Sequence, residues 1–149
     1  MLALRKIVVL LLLGISSYTD IKEKNIYILP VLFAALSGIS LTLTEVIIGN
    51  NYGLEIMNKY IFQPVLVSTL TYILSFFTKK GIGEGDIIIF LVIGLLIGIN
   101  SEILILIMAS VFSGIYCIAF LFTGKLSMER TIAFVPFILG GYICLLLRK

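Results

Sequence analysis

The sequence contains no histidine and no tryptophan, and its 149 residues include only the aspartates Asp20 and Asp86. Without histidine, Ser-His-Asp and Cys-His hydrolases are excluded, as are the HExxH zinc proteases. Cysteine is nearly as scarce. Cys117 and Cys144 form no CxxC pair and cannot make a zinc site by themselves, so they read as small buried hydrophobic residues. Charge is sparse as well: 13% of residues are charged, where a soluble domain has about a quarter. The net charge of +3 is small and dispersed, which gives no footprint for nucleic acid. Nothing in this residue set calls for a metal or another cofactor.

What the chain has instead is apolar surface. Hydrophobic residues make up 60% of it and the mean hydropathy is +1.20. That is a membrane protein, and at roughly 20 residues per span the length holds about six. Six apolar runs are readable, at 2–19, 26–48, 61–78, 87–99, 103–123 and 131–147, joined by polar loops at 20–25, 49–60, 79–86, 100–102 and 124–130. Continuous runs rule out a barrel, whose strands alternate. The expectation is an all-α, polytopic membrane protein, residues 1–149 forming a single transmembrane domain. The first run also carries features of a signal peptide, with Arg5 and Lys6 ahead of a leucine-rich core and Gly14, Ser16 and Ser17 behind it; a first span is the preferred reading.

Positive charge orients the bundle. The odd-numbered loops carry Lys22, Lys24, Lys79, Lys80, Lys125 and Arg130, and the even-numbered loops carry only Lys59. The odd loops are therefore expected in the cytoplasm. Arg5, Lys6, Arg148 and Lys149 at the termini run against this assignment.

Asp20 closes the first span and Asp86 opens the fourth. Two crossings lie between them, so both belong to the same membrane surface in either orientation. Both adjoin short spans: the 13 residues from Ile7 to Thr19 and the 13 from Ile87 to Ile99 are uncharged, about 20 Å of helix against a hydrocarbon core near 30 Å. Ionisable groups drawn to that depth mark functional sites by default. The alternative reading is structural, with Asp86 as a helix N-cap and Asp20 as an interfacial residue. Gly81, Gly83 and Gly85 precede Asp86 in a run, Gly81-Ile82-Gly83-Glu84-Gly85-Asp86, that reads as a tight loop. Ser16 and Ser17 fall on the helix face of Asp20. Two close carboxyls with little solvation share a proton, one neutral and one charged. The charged one takes a proton from water, the water attacks a peptide carbonyl, and the neutral one donates.

At these residues the sequence resembles the type IV prepilin peptidase family, membrane aspartyl proteases with a GxGD motif. The elements run in family order: Asp20-Ile21-Lys22 after the first span, then Gly83-Glu84-Gly85-Asp86, then Val135-Pro136-Phe137-Ile138-Leu139-Gly140 in the last helix. The resemblance implies an aspartic endopeptidase of the cell inner membrane that removes short basic leaders from prepilin-like precursors at the cytoplasmic face. It implies catalytic roles for Asp20 and Asp86, with Gly83, Glu84 and Gly85 supporting the loop and the substrate. A four-cysteine zinc region found in many members has no counterpart here, so the likeness is to short, peptidase-only members. Two positions depart from the family: Ile88 stands where Lys is common, and Ile26-Tyr27-Ile28 where Ile-Pro-Asn is common. Competing functions are a small proton-coupled transporter using the two aspartates as a relay, and a non-enzymatic assembly factor for pili or secretion.

Three further patterns carry expectations. Ser68, Thr71, Ser75 and Thr78 share one face of the third span, and Ser37, Ser40 and Thr44 one face of the second, in positions suited to hydrogen bonding between helices. Gly94 and Gly98 form a GxxxG for close helix contact. Pro136, five residues into the last run, predicts a kink, with Gly140 and Gly141 allowing tight approach beyond it.

Overall fold

The computed structural model describes residues 2–49, 52–77, 83–122 and 133–148. Six helices account for nearly all of these: α1 (Leu2–Glu23), α2 (Ile28–Ile48), α3 (Gly53–Phe77), α4 (Glu84–Ile97), α5 (Ile99–Phe122) and α6 (Val135–Leu147). By length and composition α1, α2, α3 and α5 can each cross a membrane, while α4 and α6 are apolar but shorter. The chain is a multi-pass, all-helical membrane protein.

The centre of the bundle is α4. Ile87, Ile89, Phe90, Val92, Ile93, Leu95, Leu96 and Ile97 are all buried, and α4 touches α1, α2, α3 and α5. A helix that is hydrophobic all round belongs inside. Around it, α1 contributes Val9, Leu12 and Leu13 to the core, which makes this first run a working member of the fold. Between α1 and α5 lies α6. A Cβ on Gly141 would stand 3.0 Å from the Ile105 carbonyl oxygen and 3.2 Å from Met108 Cβ, so the expected close approach is made there.

Helix ends depart from the apolar runs because a hydrophobic stretch measures depth in lipid, whereas a helix continues as long as its backbone hydrogen bonds do. The helix α1 runs past Asp20 to Glu23 and stops where Lys24 takes a left-handed φ of 50°, its N–H bonding the Asp20 carbonyl. The third helix begins at Gly53, inside the stretch 49–60 expected as a loop. Its π-turn at Asn58–Phe62 falls just before Pro64, whose missing N–H such a turn can accommodate. Asn100, Ser101 and Glu102, expected as the fourth loop, form the first turn of α5. The reversal occupies Gly98 alone, at φ 82° and ψ 163°, a region open essentially only to glycine. Gly98 thus turns the chain, and both glycines also lie close against the third helix: a Cβ on Gly94 would run into Pro64, and one on Gly98 would stand 3.3 Å from Lys59 Cε and 3.4 Å from the Tyr60 ring. Gly98→Ala should cost about 1–3 kcal/mol, read as a lowered unfolding midpoint in detergent; an unchanged midpoint would show that the turn carries no strain.

Pro136 does not kink the last helix. Val135 is its first residue, and a proline in the first turn gives up no hydrogen bond. The hydroxyl stripes also differ from expectation. Ser37, Ser40, Thr44 and Thr71 donate to carbonyls three or four residues back in their own helices, the local pairing open to any helical Ser or Thr. Ser68 and Ser75 are buried, and Thr78 lies outside the described residues. Cys144 is exposed and Cys117 half-buried, both as free thiols. Their apolar surroundings are the membrane-facing surface rather than the protein core.

Candidate active site

Following the chain through its crossings puts the ends of α1, α3 and α5 and the starts of α2, α4 and α6 on one face of the bundle. Asp20 and Asp86 both belong to that face. Asp20 projects from the penultimate turn of α1 and is 9% exposed. Its Oδ2 accepts the N–H of Val135 at 3.0 Å. That N–H belongs to the first turn of α6, where backbone donors have no partner within the helix and the helix dipole favours a negative group.

Asp86 occupies the third position of α4, whose N-cap is Gly83. It is therefore not an N-cap itself. The stretch Gly83-Glu84-Gly85-Asp86 is a helix start rather than a loop, closed by the Asp86 and Ile87 N–H groups bonding the Gly83 carbonyl. The Asp86 carboxyl folds back over that turn, so a Cβ on Gly83 would be 3.0 Å from its Oδ2. Gly85 serves a different need. A Cβ there would lie 2.6 Å from Ile26 Cδ1, so the connector leaving α1 rests directly on the first turn of α4. This contact joins the two carboxyl-bearing helices. Glu84 points outward and is exposed.

Aromatic rings enclose the face on the α4–α6 side. Phe90, one turn below Asp86, has its ring 6.3 Å from that of Phe134, next to Val135, and Phe137 stands 6.5 Å from Phe134 and 5.4 Å from Tyr116 of α5. Ser16 and Ser17 share the face of Asp20, as spaced, and both are buried. Of the two departures, Ile88 is 45% exposed, and the Tyr27 hydroxyl donates to Glu23 Oε2 at 2.6 Å. Among the described residues no three His, Cys, Asp or Glu side chains converge into a metal site.

Two contributors escape sequence reading. Val135 pairs with Asp20 through a backbone N–H, and the only trace is the helix-start signal of Pro136. Arg5 is fully buried, although a long cationic side chain near a helix end ordinarily reaches for the interface; its trace is a cation inside an apolar run. This end of the bundle thus carries both aspartate carboxyls, Asp20 buried and held by a backbone donor and Asp86 partly buried.

The sequence profile of the type IV leader peptidase family matches residues 7–118. That span includes Asp20 and the whole of Gly83–Asp86. Neither the curated proteins nor the solved structures contain a match.

Proposed function

This chain belongs to the type IV leader peptidase family, and on that premise we propose that it is an aspartic endopeptidase whose catalytic pair is Asp20 and Asp86. It removes short leaders from prepilin-like precursors at the cytoplasmic face of the cell inner membrane. The observation that carries this reading is the convergence of the chain's only two aspartates on one end of the bundle, Asp20 in the last residues of α1 and Asp86 in the first turn of α4, with the α1 connector resting on that turn.

The chemistry needs one carboxylate and one carboxylic acid. The carboxylate accepts a proton from water, the hydroxide equivalent attacks the scissile carbonyl carbon, and the acid protonates the departing amine. The Val135 N–H fixes one oxygen of Asp20, leaving the other for the water. Gly83 and Gly85 let the α4 start lie close under the carboxyls and the α1 connector, and Glu84, being exposed, attracts a basic leader by at most about 1 kcal/mol. Co-expression with a candidate precursor, read as leader removal on a gel, tests the activity; a precursor left full-length with well-folded protein would oppose it.

The cytoplasmic placement has its own test. Lys22→Cys, Lys80→Cys and Leu126→Cys, each with Cys117 and Cys144 replaced by Ser, should resist an impermeant thiol reagent applied outside the cell. Labelling at all three would put the aspartates on the outer face.

A further inference from the structure

At the end of the bundle away from the aspartates, Arg5 ties four helices together. Its Nη1 donates to the carbonyls of Leu95 and Leu96, at 3.2 and 3.1 Å, in the last turn of α4. Its Nη2 donates to Thr42 Oγ1 and to Glu45 Oε2 of α2, both at 3.1 Å. The guanidinium carbon lies 4.2 Å over the ring of Tyr60 in α3. The side chain is wholly buried, and its Nε has no partner. As mere filling this is a poor choice, since replacing buried ion pairs by apolar side chains of similar volume is often neutral or stabilising. What an apolar side chain lacks is a fork that fixes one helix against another along their axes.

We propose that Arg5 is a positioning residue for the carboxylate pair, setting the axial register of α1 against α4 and hence the gap between Asp20 and Asp86. This rests on reading those two groups as the catalytic pair. Arg5 and Asp20 lie on the same helix, about 22 Å apart along it, and Leu96 and Asp86 about 15 Å apart along α4. Side chains lean toward the N-terminus of their own helix. In this antiparallel pair Asp20 therefore leans back toward the bundle centre and Asp86 leans outward, which narrows the difference. The carbonyls Arg5 holds come just before the Gly98 break, where no following turn satisfies them in the ordinary way. A slip of one residue displaces the carboxyls by about 1.5 Å, and a misplacement of about 1 Å can cost about 100-fold in rate.

The test uses the full chain purified in detergent, with Arg5→Lys and the double variant Arg5→Met/Glu45→Gln, which leaves no unpaired carboxylate. Spin labels at Ile21→Cys and Ile88→Cys, with Cys117 and Cys144 replaced by Ser, report the α1–α4 register without reference to activity. For the double variant, kcat on a prepilin-like precursor should fall at least tenfold with KM within twofold. The label distance should shift or broaden by at least about one residue rise, 1.5 Å. Arg5→Lys, keeping the charge but losing the fork, should fall between, and it carries the test should the double variant not fold. An unmoved distance, or a moved distance with kcat intact, would overturn the proposal. Cleavage persisting in Asp20→Asn would instead defeat the catalytic-pair reading, whatever the labels show.

Discussion

Asp20→Asn and Asp86→Asn should each reduce leader cleavage by at least about 100-fold, the scale of a lost general acid or base, while the protein stays folded in the membrane. An amide can neither take a proton from water nor supply one to the leaving amine. Because the two carboxyls work as one unit, removing both should cost scarcely more than removing one. The wild-type pH profile should be bell-shaped, since activity needs one carboxyl charged and the other neutral, and its limbs belong to the pair rather than to either residue. Asp20→Asn calls for a matched folding measurement, because the Val135 N–H would still find an oxygen acceptor in the Asn side chain only in one amide orientation. Substantial cleavage by either well-folded variant would defeat the aspartic mechanism and return the proton-relay reading.

Gly85→Val should lower cleavage at least tenfold, and Glu84→Gln should leave it within about threefold, since an exposed charge contributes at most about 1 kcal/mol. The contrast follows from what each position touches. A first side-chain carbon at Gly85 meets Ile26 Cδ1 at 2.6 Å, which turning that terminal methyl relieves, while Ile26 Cγ1 and Cβ stand at 3.5 and 3.6 Å; the two further methyls of Val reach past that carbon into the space Ile26 fills, so the α1 connector or the α4 start must move, and each leads to a carboxyl. Glu84, one residue earlier in that turn, is exposed. Because Ile26 is the obstacle, Ile26→Ala should restore part of the activity of Gly85→Val, a coupling that contacting residues show and distant ones do not. Equal tolerance at 84 and 85, or additive effects of the Ile26 and Gly85 changes, would mean that the contact does not shape the site.

Much of this was legible from the residues. In a chain so apolar, every ionisable group stands out, so Asp20 and Asp86 were visible at once. Counting crossings put them on the same face before any packing was considered. Hydropathy located all six helices, although their ends were misplaced wherever polar residues such as Glu55, Asn58, Asn100 and Glu102 sat within helical turns. Pro136 signals a helix start rather than a kink because Ala133 and Phe134, apolar though they are, precede the helix and Val135 is its first residue.

The sequence by itself determined the class, the helix count and the pair of carboxyls, because these depend on composition and order alone. Only the tertiary structure decided that α4 is central, that Arg5 turns inward, that Gly98 makes the reversal and that the start of α6 delivers the Val135 N–H to Asp20. The physical reason is that in a membrane both the lipid-facing and the core-facing sides of a helix are apolar, so hydrophobic periodicity no longer says which side is inside. The Asp20–Val135 contact also spans 115 residues and engages a backbone group, which any residue but proline could have supplied.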